Sequence, residues 1–181
     1  PEVTAVLTSE PERCPALPSS ARLVELPASL MQSVSSMRTP QGVLFSLRLP
    51  QEGALRVQPG MLLLDRIQDP GNLGTILRTA LGFGLKNIAI IRPAVDSDDP
   101  RVVRASMGAL FSMRVGLFDS FEAYRAAYPE HALYPFMLDG SVPLNDAARA
   151  AGHPHTLVFG NEAAGLPAVF QTYGQSVRIP Q

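Results

Sequence analysis

From Met61 onward, short apolar runs alternate with stretches of helical periodicity, and this alternation restricts the possible fold more than any other feature of the chain. Strands are predicted at Met61–Leu64, Asn87–Ile91, Arg114–Phe118, Leu133–Met137, Thr156–Phe159 and Ser176–Ile179. Between them, helices are predicted over Leu73–Phe83, Arg101–Leu110, Phe121–Tyr128, Asn145–Ala150 and around Ala168–Gln171. Strand–helix alternation of this kind builds an α/β domain, a mostly parallel sheet flanked by helices. Ligands of such sheets bind beyond the carboxyl ends of the strands, so the loops at 65–72, 138–143 and 160–166 are where chemistry is expected.

A chain of 181 residues has room for one such domain and a smaller piece. Ahead of Met61, β-like runs at Val3–Leu7 and Val43–Leu47 flank a helix expected over Ala28–Ser36, after Pro27. This reads as a partial small α/β module with no obvious first element, so residues upstream of Pro1 are expected to be missing from it. Pro50-Gln-Glu-Gly53 has linker composition and divides the chain into residues 1–53 and 54–181.

Several function classes are excluded early. Apolar runs such as Met61–Leu64 fall far short of the ~20 residues that span a bilayer. No secretory signal is visible, which makes a cytoplasmic location the default expectation. Cys14 is the sole cysteine, and His131, His153 and His155 have no second thiol beside them, so neither a disulfide nor a metal site is expected. A net charge of −1 shows no general basic surface, so any contact with a nucleic acid has to be local. Lys86 is the only lysine, and the arginines that make up the rest of the positive charge suit phosphate recognition and base stacking, although genome composition explains the bias as well.

The most informative loop is Asp65-Arg-Ile-Gln-Asp-Pro-Gly-Asn-Leu-Gly-Thr-Ile-Leu-Arg78. Pro70 and Gly71 enforce a turn, and Asn72 is placed to cap the following helix. A helix start presents unpaired N–H groups that favour an anion such as an RNA phosphate, and the long side chain of Arg78 can reach back toward the loop. From spacing alone, a capped helix carrying a solvated arginine is the simpler account. The loop lacks the Gly-x-Gly-x-x-Gly fingerprint and ribose-holding acid of a dinucleotide site, which counts against an oxidoreductase. The second loop, Leu157-Val-Phe-Gly-Asn-Glu-Ala-Ala-Gly-Leu-Pro167, also leaves an apolar strand. Gly160 and Gly165 allow close backbone approach to a flat ligand, and Glu162 is either a carboxylate beside that pocket or an ordinary turn residue.

Taken together, in this order and separation, the two loops resemble motifs one and two of the SpoU (TrmH-like) family of RNA ribose 2′-O-methyltransferases, in the SPOUT superfamily. Arg104-Ala-Ser-Met-Gly-Ala109 resembles the family's small-residue segment, and Thr39-Pro-Gln-Gly42 the end of its ribosomal-protein-like RNA-binding domain. The resemblance covers nearly the whole chain. It departs at Ala163, where relatives often carry glycine, and at the end: Val177-Arg-Ile-Pro180 looks like the start of motif three, but Gln181 precedes its Ser-Leu-Asn segment.

The resemblance implies a C-terminal trefoil knot, a homodimer, S-adenosylmethionine as methyl donor, and RNA as substrate, ribosomal RNA ahead of transfer RNA. It implies Asn72, Arg78 and Glu162 as catalytic residues, with Gly160, Asn161, Gly165, Leu166 and Ile179 lining the cofactor. A guanidinium keeps its proton at any ordinary pH, so Arg78 is expected to grip phosphate and stabilise developing negative charge, not to act as a base. The rival reading is a catalytically silent RNA-binding member of the fold.

Overall fold

The computed structural model describes residues 2–48, 55, 59–150 and 154–180, and for 148–150 the backbone alone. The expected linker at Pro50–Gly53 and His153 lie outside these residues. Two compact units divide the chain, Pro1–Gln51 and Glu52–Gln181.

The first unit contains β1 (Glu2–Thr8), β2 (Arg22–Glu25), α1 (Ala28–Val34) and β3 (Val43–Arg48). Its sheet has the order β2-β1-β3, with β2 parallel and β3 antiparallel to β1. Strand β2 escapes sequence analysis because all four of its residues are exposed, which leaves no alternation to read. Helix α1 stops at Val34, two residues short of expectation, because Ser35 is already extended.

The second unit runs β4 (Gly60–Asp65), α2 (Pro70–Gly82), β5 (Asn87–Ile91), α3 (Pro100–Ala105), β6 (Arg114–Phe118), α4 (Phe121–Ala127), β7 (Ala132–Pro135), β8 (Val142–Pro143), α5 (Leu144–Ala150), β9 (His155–Phe159) and β10 (Val177–Arg178). Five of these strands form one sheet, ordered β6-β5-β4-β9-β7 and parallel throughout. The side chains of β4 alternate between its two faces, as the pleat requires. Met61 and Leu63 pack with Phe121 and Tyr124 of α4, while Leu62 and Leu64 pack with Leu73 and Leu77 of α2 and Val102 of α3. Both faces are covered, which is why β4 and β5 read as unbroken apolar runs.

Several details differ from expectation: the strand expected at Leu133–Met137 is Ala132–Pro135, and the helix expected around Ala168–Gln171 is a 3-10 turn over Ala168–Thr172. Helix α3 ends at Ala105 instead of Leu110, because Met107 (φ 51°) and Gly108 (φ 87°) turn the backbone left-handed before a short 3-10 turn at Ala109–Ser112. Helix α2 begins at Pro70, and its cap is Asp69, whose Oδ1 accepts from Asn72 N at 2.7 Å. The cap therefore falls ahead of Asn72: proline suits the first helical position, where its missing N–H costs nothing. The Ser176–Ile179 strand narrows to Val177–Arg178 and does not extend the large sheet. It pairs with β8, and Val177 O accepts from Met137 N at 2.9 Å, so its bonding groups are spent on the 136–143 segment.

Chain order places the site. After β4, successive strands move outward through β5 to β6; β7 then occupies the opposite edge and β9 inserts between β7 and β4. Connections therefore leave β4 and β9 in opposite directions, opening a crevice at their carboxyl ends.

Beneath this sheet His131, only 2% exposed, shares the Thr156 hydroxyl with Tyr124, at 2.9 and 2.7 Å. Burial is the main force lowering the His131 pKa, and it pushes the Tyr124 phenol up to about 12. A histidine depressed in the folded state takes up its proton more readily when unfolded. Its stabilising effect is therefore complete above the unfolded pKa, ~6.5, and is lost as pH falls through that value toward the folded pKa. Denaturant midpoints should drop between pH 7 and pH 5, and His131→Asn should flatten that slope; an equally steep slope in the variant assigns it to other groups.

Candidate active site

The loops after β4 and β9 meet through one carboxylate. Glu162 Oε1 accepts from Asp69 N at 2.9 Å and from Asn72 Nδ2 at 3.3 Å, and Oε2 accepts from Gln68 N at 3.1 Å and Asn161 Nδ2 at 3.3 Å. Because Asp69 takes the cap, the Asn72 side chain is free to face Glu162. Desolvation pulls the Glu162 pKa upward, but hydrogen bonding from the backbone N–H groups of Asp69, Glu162 itself and Gln68 and from the Asn72 side chain together outweighs it and holds the carboxyl below its usual range. Glu162 is thus an ionised clasp at a helix start, where backbone N–H groups favour negative charge.

Asn161 is the second fastener. Its Oδ1 accepts from Ala163 N and Ala164 N, both at 3.0 Å, and its Nδ2 donates to Arg66 O at 2.9 Å. That carbonyl is aimed by the left-handed backbone of Arg66 (φ 55°), whose guanidinium holds buried Asp65 through Nε at 3.1 Å and Nη2 at 2.9 Å. Neither Arg66 nor Gln68 stands out in the sequence; a backbone carbonyl and a backbone N–H leave no mark in residue type.

Beside the clasp lies a cleft of about 750 Å³. Gly160, Asn161, Glu162, Gly165, Leu166 and Ile179 line it, together with Phe136–Asp139 from the loop after β7. Gly165 is left-handed (φ 66°), and at Gly160 a Cβ would overlap the Gly165 carbonyl carbon and the Leu166 nitrogen. Thus all five residues expected around the cofactor line one cleft, and Glu162 joins it to Asn72. Arg78 is not among the lining residues. It is exposed on α2, about 9 Å beyond Asn72 by helical rise, and no ion pair holds it among the described residues.

Residues 59–181 match the SpoU rRNA Methylase family. The chain belongs to this family. The SpoU match includes both clasped loops and the whole cleft. Human rRNA methyltransferase 3, mitochondrial, is 33% identical over 114 residues, 51% of this chain and 27% of that protein. The chain thus spans about a quarter of that relative's length. The 23S rRNA (uridine(2479)-2′-O)-methyltransferase of Streptomyces viridochromogenes is 31% identical over 166 residues, 85% of this chain and 57% of that protein. Among solved SpoU-type structures, a TrmH-family RNA methyltransferase from Porphyromonas gingivalis superposes with a TM-score of 0.83 at 31% identity, covering 99% of this chain and 74% of that one. An AdoMet-bound rRNA methyltransferase from Sinorhizobium meliloti gives 0.80 at 25% identity, covering 99% and 72%.

The clasp carries a prediction. Glu162→Gln puts an amide before four N–H donors; one oxygen remains to accept, and the NH₂ opposes the rest. We expect about 1 kcal/mol of lost stability, since the site is solvent-exposed, and a larger loss of activity as Asn72 shifts. Denaturation and turnover measured on the same preparation check this; unchanged turnover refutes the clasp.

Proposed function

We propose that this protein transfers a methyl group from S-adenosylmethionine to a ribose 2′-hydroxyl in RNA, with ribosomal RNA as its substrate ahead of transfer RNA. The observation that carries this reading is the Glu162 clasp, which brings the two motif loops together at the mouth of a cleft in a SpoU-family chain. The names of the relatives, most of them rRNA methyltransferases, support the substrate class.

The cleft fits the cofactor in size and chemistry. Its volume lies within the range of small-molecule and cofactor sites. Leu138 and Ile179, 92% and 59% exposed, offer apolar surface to a base, and the bare backbone of Gly160 permits close approach. Gly160, Asn161, Gly165, Leu166 and Ile179 would hold it, Asn161 through its backbone because its side chain is spent within the loops. When bound, the cofactor supplies a methyl group made electrophilic by sulfonium.

The remaining work falls to the protein. Asn72 and Glu162 fix the geometry of the acceptor side. Arg78, permanently charged, grips the phosphate next to the target ribose and stabilises negative charge growing on the 2′-oxygen, while the proton passes to phosphate or water. Residues 54–181 act as the catalytic part, and residues 1–53 as a substrate-binding domain and its linker. The pairing of β10 with β8 supports a trefoil knot completed by the C-terminal segment. The protein acts as a cytoplasmic homodimer in this reading; among the described residues no helix is long and apolar enough to cross a membrane.

The test is methyl transfer from isotopically labelled S-adenosylmethionine to separate pools of total ribosomal and total transfer RNA. Ribose-bound label in the ribosomal pool supports the proposal, label in transfer RNA alone moves the substrate, and no label in either from a folded, cofactor-binding protein favours the silent RNA-binding reading.

A further inference from the structure

Two carboxylates line the cleft, and they are differently committed. Glu162 is saturated by donors from its own and the neighbouring loop. Asp139, on the loop after β7, accepts through Oδ2 from Gln171 Nε2 at 2.7 Å, while Oδ1 takes no hydrogen bond among the described residues. Gln171 belongs to the 3-10 turn Ala168–Thr172, closed by Thr172 Oγ1 donating to Val169 O at 2.7 Å. One carboxylate oxygen is therefore tethered from a separate element, which orients the other before any ligand arrives.

The surroundings say what ligand group suits that oxygen. Exposed Leu138 precedes Asp139, exposed Ile179 lines the same cleft, and Phe136 stacks on Phe159 with centroids 4.4 Å apart. An apolar wall ending in one pre-set acceptor is the complement of a nucleoside, whose base is flat and whose sugar presents two hydroxyl donors. In other open parallel sheets, a carboxylate near the end of a neighbouring strand reads a ribose in this way. Strand β7 is the neighbour of β9, which carries the Gly160 loop.

We propose that Asp139 accepts hydrogen bonds from the ribose hydroxyls of the bound cofactor, with Gln171 as its positioning residue. The proposal rests on the cofactor reading above and adds a specificity determinant to it.

Calorimetric titration of the whole protein with S-adenosylmethionine, S-adenosylhomocysteine and 5′-methylthioadenosine tests it. All three carry the ribose; the last lacks the amino-acid end, and only the first carries sulfonium charge. Asp139→Asn should weaken all three by the same factor, roughly tenfold for one charged hydrogen bond. Gln171→Leu should weaken all three by a smaller common factor, and because it acts from another element it guards against a local folding defect in the first variant. Unchanged affinities in both variants overturn the proposal. A loss confined to the two ligands with an ammonium group, or to the sulfonium alone, also overturns it, since Asp139 would then answer to charge and not to the sugar. Wild-type protein that binds none of the three overturns the cofactor reading and this proposal together, whereas wild-type binding left intact by both substitutions overturns this proposal only.

Discussion

Gly160→Ala should abolish measurable binding of S-adenosylmethionine and lower stability by about 2 kcal/mol, the middle of the range for forcing volume into a packed site. The added Cβ meets Gly165 and Leu166 backbone, not the end of a side chain that could swing aside. Relief requires the 160–166 turn to open, yet that turn is closed by Gly165 N donating to Asn161 O at 2.8 Å and by the two bonds into Asn161 Oδ1. Opening it also withdraws Glu162 from Asn72, so cofactor cleft and acceptor side fail together. Calorimetry and denaturant unfolding of the same variant give the answer. Wild-type affinity in a variant of unaltered stability would show that the close approach at Gly160 has no part in the site.

Arg78→Lys should reduce kcat/KM roughly 10²-fold, the usual cost of losing one preorganised group that stabilises transition-state charge. Lysine keeps the charge but cannot reproduce the planar fork that grips a phosphate through two oxygens. Arg78 is exposed and makes no ion pair among the described residues, so thermal stability should stay within about 0.5 kcal/mol of wild type. That separation of activity from stability is the diagnostic. The pH–rate profile should keep its shape in the variant, because a group that never titrates contributes no limb to it. Near-full activity of Arg78→Lys would sink the phosphate grip, and a displaced pH limb would return the arginine to the role of proton acceptor.

Legibility in the sequence followed how each element is stabilised. Asn87–Ile91 and Arg114–Phe118 read at their structural bounds because β5 is buried along its whole length and β6 pairs along one edge of it, so a short apolar run has no other stable use. Sequence places the cap of α2 on Asn72, three residues after the structural cap Asp69, because both residue types cap well and only the position of Pro70 separates them. Sequence extends α3 beyond Ala105 because periodicity continues through Met107, where the helical backbone does not. Strands β2 and β8 are too short or too exposed to show a pattern at all.

The candidate site divides along the same line. Residue types and local spacing pick out the two loops and their glycines, since a turn that leaves a buried strand admits few residues, whereas Asn72, Arg78 and Glu162 are singled out by the resemblance to the SpoU family and not by spacing. Local chemistry alone determined the α/β class and the five strands of the parallel sheet, with the loops that follow them. What only the tertiary structure decided is partnership: that Glu162 spends its charge on Gln68, Asp69 and Asn72, that Asn161 reaches the carbonyl of Arg66, and that Asp139 is tethered to Gln171. Those pairs span separations in sequence that no periodicity encodes. The Glu162 and Asn161 pairs exist because β9 inserts beside β4, and the Asp139 pair joins the segments that follow the neighbouring strands β7 and β9; hydrogen bonding depends on distance in space, which strand order sets.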